Sequence, residues 1–190
     1  MRMTLIATLA VLLALFGMAA AEPGKPPRTA EPGIMLPPNW EERFIRIATV
    51  DDPDRRIVRH VHINPDAHGR LRAGMPAPDG TLLIMADARA RLDAAGQPLR
   101  DAGGRFLPEP GWIAVFAQQK DSRWGSAPNT GLRNGDWRYG VFDGAGRSRD
   151  VSLAPCFACH LQARAAQDYT FTLWDYAATL GSGPRTGSGP

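Results

Sequence analysis

Cys156-Phe157-Ala158-Cys159-His160 constrains this chain more than any other stretch, because it ties the fold to a prosthetic group. Its two cysteines are the only ones in 190 residues, and one of just four histidines follows them directly. C-x-x-C-H is the attachment pattern of a c-type haem. The two thiols add across the vinyl groups as thioethers, and the adjacent imidazole ligates the iron. The pattern therefore predicts one covalent haem c, with Cys156 and Cys159 as anchors and His160 as the proximal ligand. Other chemistries share the spacing. A redox dithiol needs a helix N-terminus that lowers its thiol pKa, and would make the chain a thiol–disulfide oxidoreductase. That reading wants the motif at a thioredoxin-like βα junction early in the domain, whereas here it stands late, after a β-rich lead-in. A structural zinc ion wants four ligands, and there is no second cysteine pair to supply them. A plain structural disulfide is the remaining alternative.

The N-terminus agrees with export. Arg2 is followed by an apolar run from Leu5 to Phe16, and Ala19-Ala20-Ala21 offers a cleavage site before Glu22. This reads as a secretory signal peptide over residues 1–21, too short for a membrane span. Periplasmic localisation follows, and bacterial thioether attachment takes place in that compartment. Once the leader is removed, 21 basic and 19 acidic residues leave a balance of +2. Two haem propionates would cancel it, and the basic residues are scattered, so nucleic acid is not an expected partner.

Residues 22–38 are rich in Pro and Gly and read as a linker, and residues 180–190 read as a disordered tail. The folded domain is expected over 39–179, long enough to bury a core and enclose a cofactor. Within it, Trp40, Phe44, Ile47 and Ala48 recur at helical spacing after Asn39, which predicts a short N-terminal helix. Strands are expected over Ile57–Ile63, Thr81–Ala88, Trp112–Ala117, Gly135–Phe142 and Arg149–Leu153. Cys156–Ala166 reads as a C-terminal haem-binding helix, and Asp168–Trp174 as a last strand or extended stretch. The fold class is thus mainly β, an antiparallel sheet with helices at its two ends.

A β-rich domain with the haem motif near its C-terminus resembles the cytochrome P-460 family, which includes the β-sheet cytochromes c′. The matching residues are Val61-His62-Ile63-Asn64-Pro65, Pro78-Asp79-Gly80-Thr81, Asn134-Gly135-Asp136-Trp137-Arg138-Tyr139-Gly140, the C-x-x-C-H motif and Asp168-Tyr169-Thr170-Phe171-Thr172. The resemblance implies a homodimer, iron held by His160, and an open distal face that binds nitric oxide or oxidises hydroxylamine. The hydroxylamine oxidisers of the family carry a lysine bonded to the haem edge, on the strand after the P-D-G-T turn. Here that strand has no lysine, and Met85 falls at or near the position. Only Lys25 and Lys120 are lysines in the whole chain.

An electron-transfer cytochrome, exchanging electrons with a redox partner protein, needs a second strong iron ligand. The candidates are Met35, Met75, Met85, His60, His62 and His68. Met85, on a predicted strand, is the best placed of them, although core packing is the commoner fate of such a residue. Met35, Met75 and His68 read as loop residues. His60 and His62 share one strand face, either solvated or holding a metal ion. Arg59 shares the opposite face with Ile57, Val61 and Ile63. A charge there needs a partner. A haem propionate or a ligand in the distal pocket would provide one, or Arg59 would be an inward charge guarding an edge strand.

Overall fold

Five strands run as an antiparallel meander, hydrogen-bonded in chain order: β1 (Ile45–Asp52), β2 (Ile57–Ile63), β3 (Leu82–Arg89), β4 (Ala114–Lys120) and β5 (Trp137–Asp143). The computed structural model describes residues 33–126 and 133–180. The expected leader, most of the linker and the tail beyond residue 180 lie outside them. Among the described residues the α-helices are α1 (Trp40–Arg43), α2 (Pro65–Arg70), α3 (Ala154–Arg164) and α4 (Thr172–Leu180).

β2, β3, β5 and α3 stand close to where hydrophobic alternation places them, and three expectations are corrected. The opening helix is a single turn, ending at Phe44 in extended conformation. Ile47 and Ala48 belong instead to β1, because the β-branched run Ile45, Ile47, Thr49, Val50 favours a pleated surface over a helix. Arg149–Leu153 is not a strand. After the turn the chain pairs briefly with β5, through the Asp143 N–H to the Arg147 carbonyl, a bridge from Phe142 to Ser148 and the Arg149 N–H, then leaves to start α3. Beyond Asp168 the chain is helical. Leu173 and Ala177 are buried at i, i+4 spacing, so packing overrides the local β preference of the aromatic residues. Pro65, just beyond the end of β2, begins α2 as its first residue.

The sheet divides two cores. On one face, Ile34, Trp40, Ile84, Ala86, Val115, Ala117 and Phe142 pack together. On the other, Ile63, Leu83, Trp137 and Tyr139 pack against Leu173 of α4 and against Cys156 and Phe157 of α3. His60 and His62 lie on the first face, with ring centroids 6.2 Å apart. That face is not solvated at His62, which is 6% exposed and packed on the Trp40 ring at 5.2 Å.

Burial lowers the His62 pKa from 6.5 to about 4, and its Nδ1 has no hydrogen-bond partner among the described residues. The unfolded chain therefore binds a proton between these two values that the native protein does not. Stability is full above pH 6.5 and falls as pH drops towards 4, by on the order of 1–3 kcal/mol. His62→Phe should flatten this acid limb, which denaturant midpoints at pH 7 and pH 4.5 would measure.

Candidate haem site

The register of the sheet arranges the face under α3 into three rows that cross the strands. Ile63, Leu83, Gln118 and Tyr139 are mutual cross-strand partners and form the row nearest α3. The next row is Ala48, Val61, Met85, Phe116 and Val141. The third is Val50, Arg59, Asp87, Ala114 and Asp143. The first row is buried by the helices. In the middle row Met85, Phe116 and Val141 remain half-exposed, although their neighbours on the reverse face, Ile84 and Val115, are 0% and 1% exposed. Apolar side chains left half-open at the centre of a sheet mark a surface that accepts an apolar ligand.

At the end of that surface α3 brings three groups within one helical turn. Cys156 is half-buried, Cys159 is exposed, and the two are not joined as a disulfide. His160 follows at i+4 from Cys156 and therefore on the same helix face. Its Nδ1 is 2.6 Å from the Tyr169 carbonyl oxygen. A carbonyl only accepts, so Nδ1 carries the proton and Nε2 keeps a free lone pair, as a metal-ligating histidine requires. Burial lowers the pKa of His160 below its ordinary value, which keeps the ring neutral at pH 7. The rings of Tyr139 at 4.9 Å and Phe171 at 4.8 Å hold it in place.

Buried hydrogen bonds brace this arrangement. The Asn134 side-chain amide donates to the Tyr139 hydroxyl at 2.8 Å and to the Phe157 carbonyl at 3.0 Å, joining β5 to α3. The Gln118 amide donates to the Tyr169 carbonyl at 2.9 Å. Asn134 is fully buried and Gln118 nearly so. Sequence reading named Asn134 only as part of a motif and missed Gln118. Gln118 opens the polar run Gln118-Gln119-Lys120 that ends β4, so nothing in the local pattern marks it as buried. Phe116 was missed as well, since its exposure depends on what covers the sheet.

The remaining candidates separate clearly. Met85 is central in the middle row. Arg59 is one row beyond, where it donates to Asp87 in a bidentate pair, Nε to Oδ1 at 2.8 Å and Nη2 to Oδ2 at 2.9 Å. Asp87 is therefore its protein partner, and β2 is an interior strand rather than an edge. Met35 and Met75 are exposed. His68 is in α2, not a loop, with Nε2 2.8 Å from the Tyr176 hydroxyl. Lys120, the last residue of β4, makes an ion pair of 2.8 Å with Asp168.

A neutral imidazole presenting Nε2, two reduced cysteines on the same helix and a half-open apolar floor fit a haem. The dithiol alternative fits less well, because burial pushes the Cys156 thiol up rather than down, opposite to what a reactive thiol needs. α3 also enters from the loop after an antiparallel strand, not from a βα unit. Comparison with curated proteins gives no match. The family model for cytochrome P460 matches residues 37–172, well over half of the chain, so the protein belongs to that family and is a haem protein.

Proposed function

We propose that this is an exported, periplasmic protein carrying one c-type haem, bonded to Cys156 and Cys159 and ligated by His160. Its role is to bind small nitrogenous ligands, nitric oxide foremost, on the open side of the iron. The observation that carries the reading is the 2.6 Å contact of His160 Nδ1 with the Tyr169 carbonyl, which leaves the Nε2 lone pair available to an iron ion. When bound, the haem supplies the iron at which the small molecule is held. The protein does the rest. Burial keeps His160 neutral, Tyr139 and Phe171 restrict its rotation, and Met85, Phe116 and Val141 form an apolar floor. Arg59 spends Nε and Nη2 on Asp87 and leaves Nη1 without a protein partner among the described residues. That group is the hydrogen-bond donor we assign to the bound ligand.

Met85 supports ligand binding over hydroxylamine oxidation, because no lysine is on that strand and Lys120 is committed to Asp168. A redox partner protein and the homodimer implied by the family belong to the same proposal. The test is the visible spectrum of the reduced holoprotein with and without nitric oxide. A high-spin spectrum that changes promptly on adding the gas is expected. A low-spin spectrum indifferent to it would mean a second strong protein ligand, with Met85 first in line, and an electron carrier instead. In the same experiment Arg59→Leu should release nitric oxide about ten-fold faster, the loss of one hydrogen bond of roughly 1.5 kcal/mol from a charged donor. An unchanged rate would remove Arg59 from the ligand's surroundings.

A further inference from the structure

The carbonyl that fixes His160 belongs to a residue in an unfavourable conformation. Asp168 and Tyr169 are consecutive non-glycine residues with φ of 51° and 57°. Left-handed backbone is rare for a bulky residue and persists only where its surroundings enforce it. Here the enforcement is visible. Asp168 Oδ2 accepts from the Ala77 N–H at 2.8 Å and from Lys120 Nζ at 2.8 Å. The Lys120 and Asp168 side chains are only 12% and 13% exposed, so water screens the pair weakly. On the other side of the turn the Tyr169 ring lies against Gly135, where a β-carbon would stand 3.1 Å from Cε2. These contacts aim the Tyr169 carbonyl at His160. The same oxygen also receives the Gln118 amide at 2.9 Å.

We infer that Lys120, through Asp168, and Gln118 are positioning residues that set the donor strength of His160 in opposite directions through the single Tyr169 carbonyl oxygen. The Lys120–Asp168 pair clamps the turn and keeps the oxygen on Nδ1–H. Gln118 competes for the lone pairs of that oxygen and so weakens what Nδ1–H receives. A histidine whose Nδ1–H is strongly hydrogen-bonded is a more basic ligand, and one released from its acceptor is a weaker one. The inference rests on His160 being the iron ligand. It adds a role for the only described lysine, which lies too far committed to Asp168 to be spare.

The test compares Lys120→Met, Lys120→Arg and Gln118→Leu in the haem-loaded protein. It reads the iron–histidine stretching band of the ferrous form by resonance Raman, and the midpoint potential. Lys120→Met should lower the band frequency and raise the potential. Detachment of His160 under nitric oxide should become about ten-fold faster, the low end for losing an outer-shell partner. Lys120→Arg should restore all three. Gln118→Leu, which keeps the volume, should raise the frequency and lower the potential. A merely structural role would move both variants the same way, or change only the melting temperature. Either result would overturn the inference. If Lys120→Met fails to load haem, the opposite-sign shift in Gln118→Leu decides alone. His160→Ala separates the two claims: a band that survives it defeats the ligand assignment, and a band that it abolishes while the other variants leave theirs unmoved defeats only the positioning role.

Discussion

His160→Ala should give a protein that still carries covalently bound haem but has lost its proximal iron ligand. Three features suit this side chain to the ligand role proposed for it. The Nδ1 contact of 2.6 Å with the Tyr169 carbonyl fixes the tautomer, burial keeps the ring neutral, and the flanking aromatic rings leave it one orientation. None of the other three histidines can replace it from where it stands. His60 and His62 occupy the reverse face of the sheet, and His68 is hydrogen-bonded to Tyr176 in α2. The reduced spectrum should lose its iron–histidine signature, and added imidazole, entering the space left by the ring, should restore part of it. A spectrum identical to that of the unaltered protein would refute the assignment.

The second large effect concerns attachment. After denaturation, the unaltered protein should retain its haem through acidified organic extraction, and its haem peptide should show two thioether links and no third. The Cys156→Ala, Cys159→Ala double variant should surrender all of its haem to the solvent, since a covalent bond is replaced by packing and one axial ligand. Either single variant should retain haem through one link. Were the dithiol reading correct, the unaltered protein would instead titrate two free thiols and show no visible absorption. A third haem–protein bond in the peptide mass would restore hydroxylamine oxidation as the leading activity and place the cross-linking residue elsewhere than Met85.

Local chemistry made several parts legible before any fold was known. The alternation in Ile57–Ile63 defines β2 with the same limits in the structure, because one side of an interior antiparallel strand repeats every second residue. The motif Cys156, Cys159 and His160 is legible from its spacing, and the structure puts all three on α3. Other parts were illegible for equally physical reasons. Trp40, Phe44, Ile47 and Ala48 satisfy a 3.6-residue period by coincidence, which hides the start of β1. The aromatic residues around α4 favour a strand in isolation, and the helix wins only once Leu173 and Ala177 are buried. Arg59 was seen to need a partner, but Asp87 lies 28 residues away and is its neighbour only through the β2–β3 register.

A mainly antiparallel β fold and the C-x-x-C-H motif were thus legible in the sequence alone, since each depends on residues adjacent or periodic along the chain. Which carbonyl meets His160, which residues floor the site and how Arg59 is balanced were decided only by tertiary structure. Those relations join residues far apart in the chain, and hydrogen bonds and row-by-row packing exist only once the strands are in register. Gln118 and Lys120 show the difference most plainly. Both are ordinary polar residues on β4, and only the left-handed turn at Asp168 and Tyr169 places them beside the carbonyl that holds the histidine.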